Sequence, residues 1–203
     1  WLGCLGIKDP LREGVKEALE MCNTAGIKVV MITGDYPITA LRIANDAGMN
    51  TEMQGVITGE EIEKMSKVEL VDRLKKVTVC ARVRHEQKLM IVDALKEMGE
   101  VVAMTGDGVN DAPALKKADV GVAMGTRGTD VAREASDLVL LNDDFASLVG
   151  TIEMGRRIYV NLKKAMMYLI SVHVPIAGVT LLPLVTGEKM LLLPAHIVLM
   201  EFI

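Results

Sequence analysis

The stretch Val101–Gly125, VVAMTGDGVNDAPALKKADVGVAMG, constrains the fold more than any other part of the chain. It opens on an apolar run, Val101–Met104, with the length and character of a buried parallel strand. The run breaks at Thr105-Gly106-Asp107-Gly108, where two glycines permit backbone angles that other residues resist. A helix is expected to start around Asn110–Pro113, with Pro113 suited to a first turn. A second apolar run, Asp119–Met124, then leads to Gly125. Strand, turn, helix and strand form a βαβ unit, and open α/β sheets place their ligands outside the carboxyl ends of the strands. Asp107 and Asp111 stand four residues apart across the turn, so both carboxylates can face one point beyond the sheet. Hard oxygen donors suit Mg²⁺, which keeps several waters and bridges to a phosphate. A solvated acidic loop is the plainer alternative. The apolar strand ahead of the turn, with Asn110 and Asp111 inside it, favours a site.

The same grammar recurs along the chain. Further strands are expected at Ile27–Ile32, Val77–Ala81 and Leu138–Leu141, and helices around Val15–Cys22, Pro37–Ala47 and Glu86–Met98. Between Asn50 and Val77 the signal is weaker, with short helical patterns at Glu60–Met65 and Lys67–Lys76. Alternating strands and helices give an α/β fold with a Rossmann-like parallel sheet covered on both faces. Thr33-Gly34-Asp35 offers a hydroxyl and a backbone N–H at the start of a helix, an intrinsic anion site. A helix cap by Asp35 explains the same residues equally well. Lys88 lies near a helix start, which the helix dipole disfavours unless the ammonium is solvated or meets an anion. Arg82 could meet an anion in the same way. His85 reads as a surface residue, and Thr58-Gly59-Glu60 as a helix-capping turn. A formal charge of −4, with no basic run interleaved with aromatics, excludes nucleic acid as the expected partner. Cys4, Cys22 and Cys80 show no CxxC spacing and read as buried thiols of a reducing compartment.

After Asn142-Asp143-Asp144 the character changes. Phe145–Lys164 reads as one long helix carrying Arg156, Arg157, Lys163 and Lys164. Ala165–Val185 then carries no formal charge, a run long enough to cross a hydrocarbon core of about 30 Å. Thr186–Lys189 is a polar turn, and a second apolar segment starts at Met190. The four cations place their end of the span in the cytoplasm. The expected division is a cytosolic domain over 1–147, a stalk helix over 148–164, and a transmembrane hairpin over 165–203 whose second helix is cut short. His173 and Glu201 are ionisable groups at membrane depth, functional candidates by default. Counting residues from the turn puts both at a depth of roughly 18–20 Å. The chain opens without an initiator Met and stops inside an apolar run, so it reads as a piece of a longer polypeptide.

Taken together, DPLR at Asp9–Arg12, MITGD at Met31–Asp35, CARV…EQK at Cys80–Lys88 and MTGDGVNDAPAL at Met104–Leu115 resemble the P-type cation-transporting ATPases. The order and spacing match over essentially the whole chain. The resemblance implies a haloacid dehalogenase-like phosphorylation domain, coupled through a stalk to the fifth membrane helix and the start of the sixth. It implies that Asp107 is the Mg²⁺ ligand with Asp111 beside it. Asn110, Thr33, Gly34 and Lys88 would hold the transferred phosphoryl group, and Asp35 and Arg82 would lie on the ATP side. The implied reaction is attack of a carboxylate on the ATP γ-phosphate followed by hydrolysis, with cation movement coupled to both. Its partners are ATP, a transported cation such as Ca²⁺, the lipid bilayer and the rest of the parent polypeptide. The implied location is a multi-pass membrane protein with its catalytic domain in the cytoplasm, at the plasma membrane in a bacterium. Two departures stand out. The family's DKTGT motif, which carries its nucleophile, does not occur in these 203 residues. His173 and Ile176 also stand where calcium-type pumps present an Asn and a carboxylate, and Glu201 stands where they carry another Asn. A soluble phosphatase of the same superfamily and a non-catalytic membrane anchor are the rival readings.

Overall fold

The computed structural model describes residues 10–187 and His196. The chain divides into two compact units, Trp1–Gly150 and Thr151–Ile203. In the first, short strands alternate with helices: α1 (Val15–Thr24), β1 (Met31–Ile32), α2 (Pro37–Asp46), β2 (Val56–Thr58), α3 (Gly59–Lys64), α4 (Lys67–Leu74), β3 (Val79–Ala81), α5 (His85–Glu97), β4 (Ala103–Gly106), α6 (Ala112–Lys117), β5 (Val120–Met124), α7 (Asp130–Glu134) and β6 (Leu138–Leu140). Helix α8 follows over Phe145–Thr186. Every strand pairing is parallel, as the alternation requires. The ladder falls into two halves, ordered β1-β3-β2 and β4-β5-β6. Ile32 and Ile57 flank Cys80 in the first, and Thr105 pairs with Val122 in the second. Strands β1 and β4 therefore each have one edge outside the ladders. Of the expected strand Ile27–Ile32, only the last two residues are in β1, and they are half-buried.

Helix α5 is the wall common to both halves. Its Ile91 and Ala94 pack with Ile57, Leu74 and Cys80, whereas Val92 packs with Met104, Leu115 and Ala123. Leu95 and Ile32 touch both clusters. Each fully buried Ile or Leu contributes about 1.5–3 kcal/mol relative to exposure, so these contacts hold the two halves in one unit. The Thr58-Gly59-Glu60 turn is a helix cap, as expected. Thr58 Oγ accepts the Glu61 N–H, and the Glu61 carboxylate accepts the Thr58 N–H at 2.7 Å. Gly59 is obligatory there, because a Cβ would meet the Arg82 carbonyl at 2.3 Å and Gln87 Oε1 at 2.5 Å. Cys22 and Cys80 are free and buried, and burial pushes the Cys80 thiol up to about 12; Cys4 lies outside the described residues. The start of α8 belongs to this unit, where Phe145 and Val149 pack with Ala18 and Cys22 of α1.

The second unit begins within α8. The expected stalk and span are one unbroken helix of 42 residues, with no change of structure between Lys164 and Ala165. Pro175 and Pro183 lie inside it. Each proline removes the N–H that would bond the carbonyl four residues back. Nearby, Ser171, Thr180 and Thr186 donate their hydroxyls back to the carbonyls of Met167, Ile176 and Leu182 at 2.7–2.9 Å. The helix is long and apolar enough to cross a membrane. It ends at Thr186, and the N–H of the following Gly187 bonds the Pro183 carbonyl at 2.9 Å. The remaining turn residues Glu188 and Lys189, the second apolar segment apart from His196, and Glu201 lie outside the described residues.

Candidate active site

The Thr33-Gly34-Asp35 turn continues the first half-sheet beyond β1. The Thr33 N–H bonds the Cys80 carbonyl at 2.9 Å, and the Thr33 carbonyl accepts the Val83 N–H at 3.0 Å. Thr33 Oγ accepts the Asp35 N–H at 3.1 Å and donates to the Asp35 carboxylate at 3.0 Å. The cap residue of α2 is Tyr36, with no side-chain capping bond and Pro37 in the first turn. Asp35 is thus occupied by Thr33 rather than by the helix. Gly34 and Asp35 are exposed, at the carboxyl end of β1. Across from them Arg82 takes a left-handed conformation, φ 53°, with its N–H on the Asp35 carbonyl at 3.0 Å. For a residue with a Cβ this conformation costs on the order of 1 kcal/mol or more, and it persists where the surroundings enforce it. The exposed Arg82 guanidinium lies 4.6 Å from the centre of the Tyr36 ring, a cation–π contact.

In the second half-sheet, β4 ends at Gly106 and the turn to α6 carries Asp107, Asn110 and Asp111. Asp111 is buried and Asp107 and Asn110 are exposed. Asp111 Oδ2 accepts the N–H groups of Asp107 and Gly108, each at 3.3 Å. Its Oδ1 accepts Lys88 Nζ at 2.6 Å, with the lysine side chain 21% and the aspartate side chain 8% exposed. That bond joins the first turn of α5 to the turn after β4. Lys88 meets an anion, the second alternative weighed for a lysine at a helix start. A carboxylate in this position fixes the ammonium, and two of the three donors of the ammonium remain available. His85 is exposed, as read from the sequence. The Asp107 carboxylate is the open one of the pair. Among the described residues no cluster of three or more His, Cys, Asp or Glu is placed to hold a metal. A cation at Asp107 would draw most of its oxygen ligands from water and substrate, the donor set that Mg²⁺ tolerates.

A third loop escapes the sequence reading. Gly125–Thr129 folds back on the Asp107 turn, and the Thr129 N–H bonds the Asp107 carbonyl at 2.9 Å. Thr129 Oγ caps α7 by accepting the Ala132 N–H. Arg133 ties the loop together through the carbonyls of Gly125 and Gly128 at 2.8 and 2.6 Å. Gly128 admits no side chain, because a Cβ would fall 1.9 Å from the Met124 carbonyl oxygen. Asp143, buried and in a left-handed conformation, accepts the N–H groups of Thr126 and Arg127 at 3.0 Å, and its carbonyl accepts Arg12 at 2.7 Å. Burial pushes its carboxyl up, yet the backbone donors of residues 125–127 outweigh this and hold it below the usual range. The Thr-Asp pair ahead of Val131–Ala132 is a helix-start signal that could have located Thr129. Nothing local marks Asp143. In the second unit, a ring nitrogen of His173 lies 2.9 Å from the Leu169 carbonyl.

Residues 1–119 match the haloacid dehalogenase-like hydrolases. Over its full length the chain is 44% identical to calcium-transporting ATPase 1 of Bacillus cereus and 42% identical to human calcium-transporting ATPase type 2C member 2. It spans 23% and 21% of those two proteins. Its backbone resembles the crystal structure of a zinc-transporting PIB-type ATPase in the E2.Pi state, with a TM-score of 0.68 at 30% identity. That likeness covers 96% of this chain and 26% of the other.

Proposed function

The chain belongs to the haloacid dehalogenase-like hydrolases, and from that membership we propose that it is the catalytic and membrane-coupling segment of a P-type, ATP-driven cation pump. Its relatives are P-type cation-transporting ATPases, and the reaction proposed for the parent is transfer of the ATP γ-phosphoryl group to a carboxylate, then hydrolysis. The observation that carries the reading is the Lys88–Asp111 bond, which holds an ammonium beside the open Asp107 carboxylate turn. Phosphoryl transfer spreads charge over the equatorial oxygens of the moving group, and donors fixed in advance lower that barrier. Lys88 Nζ, Thr33 Oγ, the Gly34 N–H and the Asn110 amide are the donors of this chain. Asp35 and Arg82 lie on the ATP side. Asp107, with Asp111 beside it, would hold Mg²⁺, which supplies neutralisation of phosphate charge when bound. The bonds already made by Asp111 suit it to orienting Lys88 and the turn.

The acceptor carboxylate is outside this chain, since no DKTGT string occurs in it. The edges of β1 and β4 that no other described strand pairs suit a strand supplied by the parent polypeptide, because Ile32 already packs into the cluster that contains Met104. Helix α8 is the membrane span of the pump, with the first unit in the cytoplasm. A soluble phosphatase has no use for a helix whose apolar window is 0% buried. His173 and Glu201 line the cation path, and the cargo is a metal cation such as Ca²⁺. The test uses the full-length parent in membranes with γ-labelled ATP. Asp107→Asn should lower acid-stable, Mg²⁺-dependent phosphoenzyme by several orders of magnitude, and this chain alone should form none. His173→Ala and Glu201→Gln should leave phosphorylation possible and change its dependence on cation. Near-normal phosphoenzyme in Asp107→Asn would remove the metal assignment. Unchanged cation affinity in both membrane variants would move the ion path elsewhere.

A further inference from the structure

We propose that Gln87 is a positioning residue for phosphoryl transfer: its side-chain amide pins the first turn of α5 to the start of α3 and so aims Lys88. The proposal rests on the reading of Lys88 as a donor to the transferred group. Gln87 stands in the Glu86-Gln87-Lys88 string, yet no step of the reaction uses it. It is only 5% exposed, and with Thr51, Asp111 and Asp143 it makes up the buried polar and charged residues among those described. Burying an amide costs free energy unless each end finds a partner.

Both ends of Gln87 are bonded. Its Oε1 accepts the Arg84 N–H at 2.8 Å, and its Nε2 donates to the Gly59 carbonyl at 2.8 Å. Arg84 is the cap residue of α5, and its own side chain makes no capping bond. The Arg84 carbonyl accepts the N–H groups of Gln87 and Lys88 at 3.2 and 3.3 Å. The helix start is thus closed on itself through Gln87, and the amide ties that closed turn to a residue 28 positions earlier. The approach is tight, since a Cβ on Gly59 would meet Gln87 Oε1 at 2.5 Å and the Arg82 carbonyl at 2.3 Å. Arg82 and Val83 complete the attachment, with their N–H groups on the carbonyls of Asp35 and Thr33 at 3.0 Å each. One turn, residues 82–87, therefore joins the Thr33-Gly34-Asp35 turn, the start of α3 and the start of α5.

Successive residues of a helix point about 100° apart. Gln87 accordingly reaches the first half-sheet at the end of β2, while Lys88 reaches the second at Asp111, 2.6 Å away. The two bonds hold the first turn of α5 from two sides. Without the amide, the Lys88 ammonium keeps its tie to Asp111, but the turn that carries it can shift about that tie. The lysine would then follow the turn after β4 alone and lose its fixed distance from Thr33 and Gly34. Phosphoryl transfer depends on such placement, and a misplacement of about 1 Å costs up to about 100-fold in rate.

The test follows acid-stable phosphoenzyme formed from γ-labelled ATP by the full-length parent in membranes, with rapid quenching and across ATP concentrations. Gln87→Met keeps the length of the side chain and removes both bonds. It should slow phosphoryl transfer by about 10–100-fold. The ATP concentration for half-maximal rate should stay within about threefold, because Lys88 acts on the moving group. Lys88→Met should be slower still, and Lys88→Met/Gln87→Met no slower than Lys88→Met, since nothing then remains to be aimed. A double variant slowed by the product of the two single effects would make Gln87 a packing group and overturn the proposal. Gln87→Met at the wild-type rate would overturn it as well. So would rapid thiol labelling of the buried Cys80 in Gln87→Met, or failure of that variant to fold, either of which would assign the amide to the fold at large. Wild-type phosphorylation in Lys88→Met would instead remove the reading of the lysine beneath this inference, whereas a slow Lys88→Met beside an unaffected Gln87→Met would sink the inference alone.

Discussion

Replacing Lys88 by methionine tests the contact on which the site is built. The substitution keeps the length of the side chain and removes its charge, leaving the buried Asp111 carboxylate with two backbone donors at 3.3 Å. Removing one partner of a buried ion pair costs about 3–5 kcal/mol, mostly because the other charge stays buried. The Lys88 side chain is 21% exposed, so water makes good part of the loss, and about 2–3 kcal/mol is the expected cost. That raises the open population of the first unit by a factor of about 30–160. Cys80 reports it directly. It is fully buried at the centre of the β1-β3-β2 ladder, with its thiol pushed up to about 12, so it reacts only when β3 is exposed. With fast closing, the pulsed labelling rate of Cys80, read on its own peptide by mass spectrometry, scales with the open population. Lys88→Met should label faster by the factor given. Lys88→Met/Asp111→Asn should recover at least half of the loss, since no unpaired charge remains. A single variant that labels within threefold of wild type, or a double variant worse than the single, would refute the reasoning.

Two other outcomes are accessible. Gly128→Ala drives a methyl group into the Met124 carbonyl, so the Gly125–Thr129 loop must shift and give up the Thr129–Asp107 bond. Destabilisation of about 2 kcal/mol or more is expected, and amide exchange at Thr129 unchanged from wild type would contradict it. Asp93 is held down to about 2 by Lys117 and Lys67, which bridge α6 and α4 to α5. Its folded value is depressed, so the unfolded chain takes up the proton first. The network contributes fully above about pH 4 and is lost as the pH falls towards 2. A carboxylate NMR titration should give that low midpoint, and Lys67→Ala/Lys117→Ala should return it to the ordinary Asp range. A midpoint that stays near 2 in the double variant would place the cause elsewhere.

Much of the site was legible because its chemistry is written in adjacent residues. A strand that breaks at Gly106-Asp107-Gly108 must turn there, and Thr33 bonds to Asp35 only two positions away. Strand existence could be read but strand limits could not. The run expected from Val101 enters the ladder only at Ala103, because the Val102 N–H is taken by the Asp119 carboxylate at 2.9 Å. Val101 is left 84% exposed. The expected boundary between stalk and span leaves no mark on the backbone for a related reason, since a change from polar to apolar side chains alters what a helix faces and not its backbone bonds.

The linear order of residues determined the alternation of strand and helix, the capped turns, the apolar run of α8 and the identity of the groups able to meet a phosphate. Each of these depends on neighbours within a turn or two, where spacing alone sets geometry. Only the tertiary structure decided that the ladder falls into two halves joined by α5, and that Lys88 closes on an aspartate 23 residues away. It also decided that Arg12 reaches across 131 residues to the carbonyl of Asp143, whose carboxylate receives Thr126 and Arg127. Those pairs have no fixed spacing. They form because folding brings distant loops together and buries Asp111 and Asp143, whose polar groups must then find the partners that the fold sets beside them.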